Sequence, residues 1–176
     1  LAAALALVRQ GFKVQVFEQA DQIGEIGAGI QLGPNAFHAF DALGVGEVAR
    51  SRAVYTDCMV MHDALDETLV GRLDTGEAFR RRFGNPYAVI HRVDIHTSLL
   101  EGVQASPDVE FFTSTRIVRI EQDDGRVTAI DQYGRRWDGQ ALIGADGGKS
   151  VVREQYVNDP PRVTGHVVYR AVVEKD

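Results

Sequence analysis

Four sets of residues in this chain have the types and spacing to do chemistry. Glu18 ends the alternating run "KVQVFE" (13 to 18), so its carboxylate should stand at the carboxyl end of a strand. A carboxylate there accepts hydrogen bonds from both hydroxyls of an adenosine ribose and repels a 2'-phosphate; an exposed strand-end acid would read the same way. Glycines at 24, 27, 29 and 33 strip side chains from the backbone just before a helix opens at Pro34. Such a run either turns the chain sharply or lets backbone approach something large and flat. In "GADGGKS" (144 to 150), Asp146 and Gly147 are followed by Ser150 and Arg153. Glycine N–H groups can close on an anion while Asp146 fixes ribose hydroxyls or orients the loop. A plain Asp-Gly turn explains the pair, though less easily the spacing D-G-x-x-S-x-x-R. Arg92, in "HRVDIH", could clamp a phosphate or line a cofactor; as readily it could pair on the surface with Asp94, an acid in the first turn of the expected helix.

The elements that must hold these residues follow from periodicity. Leu1, Leu5 and Val8 form one helical stripe, and Gly11 follows where a helix end favours a left-handed residue. Helix, glycine, strand and acid in that order make the second half of a βαβ nucleotide-binding unit, whose glycine fingerprint should precede Leu1. Pro34 suits a first helical residue, and Phe37, Phe40 and Leu43 share a face before Gly44. Residues 57–63 and 68–74 read as paired strands. "YAVIHR" leads into a helix with Val93, His96, Leu99 and Leu100 inward. Residues 109–115 read as a strand, followed by antiparallel hairpins turning at Asp124-Gly125 and Tyr133-Gly134. "QALIGADG" reads as a strand running into Gly144, and "HVVYRAVV" (166 to 173) as the last strand. The sum is an α/β, doubly wound design with a later β-meander.

Composition narrows the partners. The 176 residues carry a formal net charge of -6 and no basic block, which speaks against nucleic acid. Arg80, Arg81 and Arg82, beside Glu77, are expected in a solvated turn. No apolar run approaches the roughly 20 residues that span a bilayer. The single cysteine, Cys58, forbids an internal disulfide and fits a reducing cytoplasm, and the five histidines lack ligand spacing, so no metal site is expected. Leu1 opens mid-helix without a capping residue, and the chain stops just after a strand-like run, so a piece of a longer protein is expected.

"A-L-x-x-x-G-x-x-V-x-V-x-E", "GAGIQLGPNA", "HRVDIHTSLL" and "GADGGKSVVR" occur here in the order and spacing of the flavin-dependent aromatic hydroxylases, which the whole chain resembles. The resemblance implies a Rossmann-like FAD-binding domain with a β-meander, of the p-hydroxybenzoate hydroxylase-like fold. That domain would comprise residues 1–54 and 86–160, with 55–85 and 161–176 as part of a β-sheet substrate domain. It implies FAD as cofactor and NAD(P)H as co-substrate, with O2 giving one oxygen atom to a hydroxybenzoate-type acid. Glu18 would hold the adenosine ribose, and Gly27, Ala28, Gly29 and Ile30 would pass backbone along the flavin ring. Arg92 would contact FAD near the ribityl-pyrophosphate region, and the backbone near Val118 would lie by the adenine. Asp146 and Gly147 would serve both FAD and the reduced nicotinamide. Tyr169 and Arg170 would begin the wall of the substrate pocket. The residue that deprotonates the phenol is expected outside these residues, so the 176 residues alone should be inactive. The complete protein would be a cytoplasmic homodimer. Three alternatives remain at this level: a salicylate hydroxylase-type activity on the same scaffold; a nicotinamide-binding dehydrogenase, which Glu18 would suit equally; and a non-catalytic FAD- or ligand-binding module.

Overall fold

The structure, a computed structural model, describes residues 1–23, 28–157, 159–160 and 162–169. In chain order the first elements are α1 (Ala2–Val8), β1 (Val14–Phe17), β2 (Gly29–Leu32), α2 (Pro34–Leu43), α3 (Gly46–Arg52) and β3 (Val54–Tyr55). A hairpin of β4 (Cys58–His62) and β5 (Leu69–Asp74) follows, then α4 (Glu77–Phe83), β6 (Ala88–His91) and α5 (Arg92–Gln104). The last are β7 (Val109–Phe112), β8 (Ile117–Asp123), β9 (Arg126–Asp131), β10 (Arg136–Gly139) and a short α6 (Val151–Glu154). They gather into two units, one of Leu1–Phe12 and Gly24–Pro107, the other of Lys13–Ile23 and Asp108–Tyr169.

The first unit is built on an antiparallel sheet in the order β2-β6-β3, with β4 and β5 as a separate pair. Its core joins Leu32, Phe37, Ala49, Ala88, Ile90 and Ile95. Helix α2 begins at Pro34, where a missing N–H costs nothing, and stops at Gly44, whose φ of 76° suits a residue without a Cβ. Phe37 is fully buried and meets Phe40 edge-on at 6.3 Å, as the spacing predicts. Two expectations fail here. Helix α5 buries Ile95, Ser98 and Val103 rather than the stripe through Val93, His96, Leu99 and Leu100. A serine can sit inward because its hydroxyl is satisfied, donating to the Asp94 carbonyl at 2.7 Å. The arginines at 80–82 lie in α4 rather than in a turn, with Arg80 near Asp57 and Arg81 one helical turn from Glu77.

The second unit pairs β1 with β7 in parallel, Val14 opposite Val109 through Phe17 opposite Phe112. Phe17 stacks on Phe112 at 5.5 Å, and Trp137 packs against both rings. The meander β10-β9-β8 is antiparallel, turning where the glycines predict. Residues 140–144, expected as a strand, have no ladder partner among the described residues, and neither do 166–169. An apolar run becomes a strand only where a neighbour takes its N–H and C=O groups.

One buried carboxylate organises the β9–β10 turn. Asp131 is 1 % exposed; Oδ1 accepts from the N–H groups of Tyr133 and Arg135 at 2.8 and 3.0 Å, and Oδ2 accepts from Arg135 Nε. Burial alone would raise its pKa, but the Arg135 guanidinium and the two N–H donors together hold it below the usual carboxylate range. A depressed folded pKa means stability that is present above the unfolded value of about 4 and lost as pH falls through the folded one. Asp131→Asn should therefore lower the melting temperature most near neutrality. The gap from wild type should shrink on acidification; a gap independent of pH would refute the assignment.

Candidate functional site

The β2–β6 pairing creates two unlike faces. Gly29 lies opposite His91, Ile30 opposite Ile90, Gln31 opposite Val89 and Leu32 opposite Ala88. Side chains alternate along a strand, so Ile30, Leu32, Ala88 and Ile90 turn into the core. Gly29, Gln31, Val89 and His91 share the other face, and Tyr87, just before β6, packs edge-on against Phe79. The pairing reaches one step further: the Arg92 N–H donates to the Ala28 carbonyl at 3.2 Å. The described part of the glycine run is thus held directly against the residue that opens α5.

Gly29 is informative because the protein itself does not require it. Among the described residues, a Cβ built there would meet nothing closer than the Ile90 carbonyl oxygen at 3.9 Å, an ordinary contact, and its φ lies outside the left-handed region. Neither packing nor backbone strain explains the missing side chain. The space it leaves lies on the exposed face, where something outside the fold can use it.

Tyr87 was missed by sequence reasoning. It is 8 % exposed, and its hydroxyl is a buried polar atom with no hydrogen-bond partner among the described residues. Burial pushes that phenol above its ordinary pKa, so it stays a neutral O–H donor. Nothing in "YAVIHR" distinguishes it from any apolar strand entrance.

The second unit holds the other candidates. Glu18 sits at the end of β1; its N–H donates to the Phe112 carbonyl at 2.8 Å and its carbonyl accepts from the Thr115 N–H at 2.9 Å. Oε1 accepts from the Ala20 N–H at 2.9 Å, which uses one of the roughly four acceptor positions of a carboxylate. Val118 drops out of the β8–β9 register: Ile117 faces Asp131 and Arg119 faces Ile130, which leaves Val118 in a bulge. Bulges take backbone out of the ladder and concentrate at functional sites.

Asp146 is committed locally. Its Oδ1 accepts from the Ser150 hydroxyl at 2.5 Å, and Oδ2 accepts from the Val151 and Val152 N–H groups at 2.7 and 3.3 Å. Ser150 in turn accepts from the Arg153 N–H at 3.0 Å, while Arg153 donates to the Gly148 carbonyl at 2.9 Å. The D-G-x-x-S-x-x-R spacing is therefore a closed hydrogen-bond circuit. Partial burial opposes ionisation of Asp146, and the Ser150, Val152 and Val151 donors outweigh it, holding the carboxyl below its ordinary value. Gly147, at φ 76°, and Gly148 have open space where a Cβ would point.

Tyr169 is 93 % exposed, and Gly27 and Arg170 lie outside the described residues. The structure thus brings Ala28, Gly29, Ile30 and Arg92 together in one unit; Glu18, Val118, Asp146 and Gly147 belong to the other. Among the described residues, no three His, Cys, Asp or Glu side chains could hold a metal, and no helix is long and apolar enough to cross a membrane.

Comparison with known proteins adds a direct finding: residues 1–169 match the model of a family described as "FAD binding domain". The chain is 76% identical over 175 residues to a 3-hydroxybenzoate 6-hydroxylase of Polaromonas naphthalenivorans, a match covering 99% of this chain and 44% of that protein. It is 60% identical over 173 residues to a 3-hydroxybenzoate 6-hydroxylase of Klebsiella oxytoca, covering 98% and 44%. Among solved structures it is similar to 2,6-dihydroxypyridine-3-hydroxylase from Arthrobacter nicotinovorans, with TM-score 0.72 and 28% identity over 93% of this chain and 38% of that one. The fold is also that of Klebsiella pneumoniae HpxO, solved with FAD and uric acid, at TM-score 0.76 and 24% identity over 92% and 40%. The chain spans about two fifths of the length of these proteins, 44% of each of the two 3-hydroxybenzoate 6-hydroxylases.

If Gly29 is kept for something outside the fold, Gly29→Ala should hold the melting temperature of the ligand-free protein or raise stability by up to about 1 kcal/mol. A clear loss of stability would show that the protein's own packing requires the glycine.

Proposed function

The chain belongs to the FAD binding domain family, and on that premise we propose that it is part of an FAD-dependent monooxygenase that hydroxylates 3-hydroxybenzoate at ring position 6. The observation that carries the reading is the open face of the β2–β6 pair, where a glycine its own fold does not require stands beside Arg92. The activity shared by its relatives supplies the substrate.

The described residues fit FAD by the chemistry of their donors and by the room they leave. Backbone at Ala28, Gly29 and Ile30, with Gly27, passes along the flat ring. Arg92 supplies positive charge for the ribityl-pyrophosphate. Glu18 retains acceptor positions for the ribose hydroxyls, and backbone in the Val118 bulge faces the adenine. Asp146 shapes the Gly147-Gly148 loop, which serves FAD and the reduced nicotinamide, rather than reaching for a ligand with a spare oxygen. Bound FAD supplies the redox chemistry, carrying two electrons from NAD(P)H so that one atom of O2 enters the aromatic ring and the other leaves as water. The protein's share is orientation, electrostatics and the exclusion of water. Residues 1–54 and 86–160 form the FAD-binding domain in this reading, and 55–85 with 161–176 contribute to the substrate domain. Tyr169 and Arg170 begin its pocket wall. The Tyr87 hydroxyl, buried without a partner among the described residues, is in this reading a donor to the aromatic acid. The free Cys58 accords with a reducing cytoplasm, and the complete protein is a homodimer in this reading.

The test uses the complete protein loaded with FAD. Oxidation of NADH and NADPH is followed with 3-hydroxybenzoate or salicylate, and the product is identified. Stimulation by 3-hydroxybenzoate with 2,5-dihydroxybenzoate formed supports the proposal; stimulation by salicylate alone moves the substrate, and none by either acid ends the assignment. Glu18→Ala should raise the FAD dissociation constant roughly tenfold, the scale of one hydrogen bond to a charged group. An unchanged constant would remove Glu18 from the ribose. Tyr87→Phe should leave the melting temperature unlowered, because it deletes an unsatisfied buried group, while raising KM for the acid. A wild-type KM would mean that the hydroxyl faces no substrate.

A further inference from the structure

Helix α3 carries an arginine that reaches across to α5 at three points. Arg52 Nη1 donates to the Asp94 carbonyl at 3.2 Å and to Ser98 Oγ at 2.9 Å, and Nη2 meets both Glu101 carboxylate oxygens at 3.1 and 3.3 Å. Asp94, Ser98 and Glu101 fall at i, i+4 and i+7, one stripe of the helix. Ser98 is 1 % exposed and donates to the same Asp94 carbonyl at 2.7 Å, so that oxygen accepts from both the serine and the arginine. The seam between α3 and α5 is therefore polar where an apolar stripe was expected. Hydrogen bonds fix the rotation and height of a helix; greasy contact alone lets it slide. At its other end α5 is held by close approach. A Cβ on Gly102 would come within 3.0 Å of Val45 Cγ1 and 3.3 Å of Leu5 Cδ1.

Two residues before Asp94 stands Arg92, whose N–H holds the Ala28 carbonyl. We propose that Arg52 is a positioning residue for the flavin site: by clamping the first turn of α5 it sets Arg92 against the Ala28–Gly29 backbone. Two helical positions turn the chain through about 200°, so Arg92 projects away from the stripe that Arg52 grips. Arg52 acts through α5 and touches no reacting group. The inference rests on the flavin reading of the Ala28–Arg92 site.

Lysine keeps the charge but not the fork; one ammonium cannot serve a carbonyl, a hydroxyl and a carboxylate spread over two helical turns. The Glu101 pair is exposed, and such pairs contribute about 0–1 kcal/mol, so Glu101→Gln removes charge pairing without removing the clamp. The experiment compares wild type, Arg52→Lys and Glu101→Gln in the complete protein. It reads deuterium uptake in the peptide spanning Ile90–Asp94 without FAD, and the FAD dissociation constant by titration. Arg52→Lys should lose protection in that peptide and weaken FAD roughly tenfold, the scale of one charge-assisted hydrogen bond. Glu101→Gln should match wild type in both. Wild-type uptake in Arg52→Lys overturns the proposal, as does equal loosening in both variants, which would mark a merely stabilising ion pair. If Arg52→Lys does not fold, Ser98→Ala keeps the arginine, deletes one of its acceptors and carries the same comparison. A wild-type protein that binds no FAD would defeat the flavin reading, while the uptake data would still decide whether Arg52 holds Arg92 in place.

Discussion

The antiparallel pairing of β2 with β6 is the constraint on which the first unit depends. It sets Ile30, Leu32, Ala88 and Ile90 into the core and leaves Gly29, Gln31, Val89 and His91 on the opposite face. Slipping β2 by one residue would exchange its faces, burying Gly29 and Gln31 and exposing Ile30 and Leu32. Core burial therefore also decides where the glycine-lined surface lies. The last link of the ladder, from the Arg92 N–H to the Ala28 carbonyl, brings a helix start to the glycine run. Helices α3 and α5 then secure that link from behind through Arg52 and Ser98.

Carboxylates do comparable work in the second unit. Asp131 and Asp146 each gather N–H donors and a side-chain donor around one group, and those donors hold both carboxyls below the usual range, Asp131 despite full burial and Asp146 despite partial desolvation. One shapes a hairpin turn, the other the loop before α6. An Asp-Gly pair that reads as a ligand-binding signature thus has an internal duty. Its carboxylate builds the loop, and the glycines beside it present open backbone.

Local pattern was sufficient wherever its cause is local. The α2 boundaries at Pro34 and Gly44, the hairpin turns at Gly125 and Gly134, and the β4–β5 pair all follow from backbone chemistry within a few residues. The arginines at 80–82 read as a turn from charge alone, yet helix formation there also draws on Phe79 and Phe83, whose rings lie 4.6 Å apart. Spacing along α5 points to Val93, His96, Leu99 and Leu100, but contacts from other elements decide which of its faces is buried. Ser98 is inside because it is hydrogen-bonded, and its partner Arg52 belongs to another helix.

By itself, the sequence determined the alternation of helices and strands, the late meander, the glycine run, and the order of motifs by which the chain resembles the flavin-dependent hydroxylases. These reside in residue types and short spacings. Only the tertiary structure decided that a Cβ on Gly29 would meet nothing closer than the Ile90 carbonyl among the described residues, that Val118 bulges, that Asp146 accepts three local hydrogen bonds, and that the Tyr87 hydroxyl is buried without a partner among those residues. Each is a statement about what a side chain or backbone group fails to meet, or meets, across a long stretch of chain. Such facts exist only once distant segments have packed, because hydrogen-bond satisfaction and free space are properties of neighbours, not of residues.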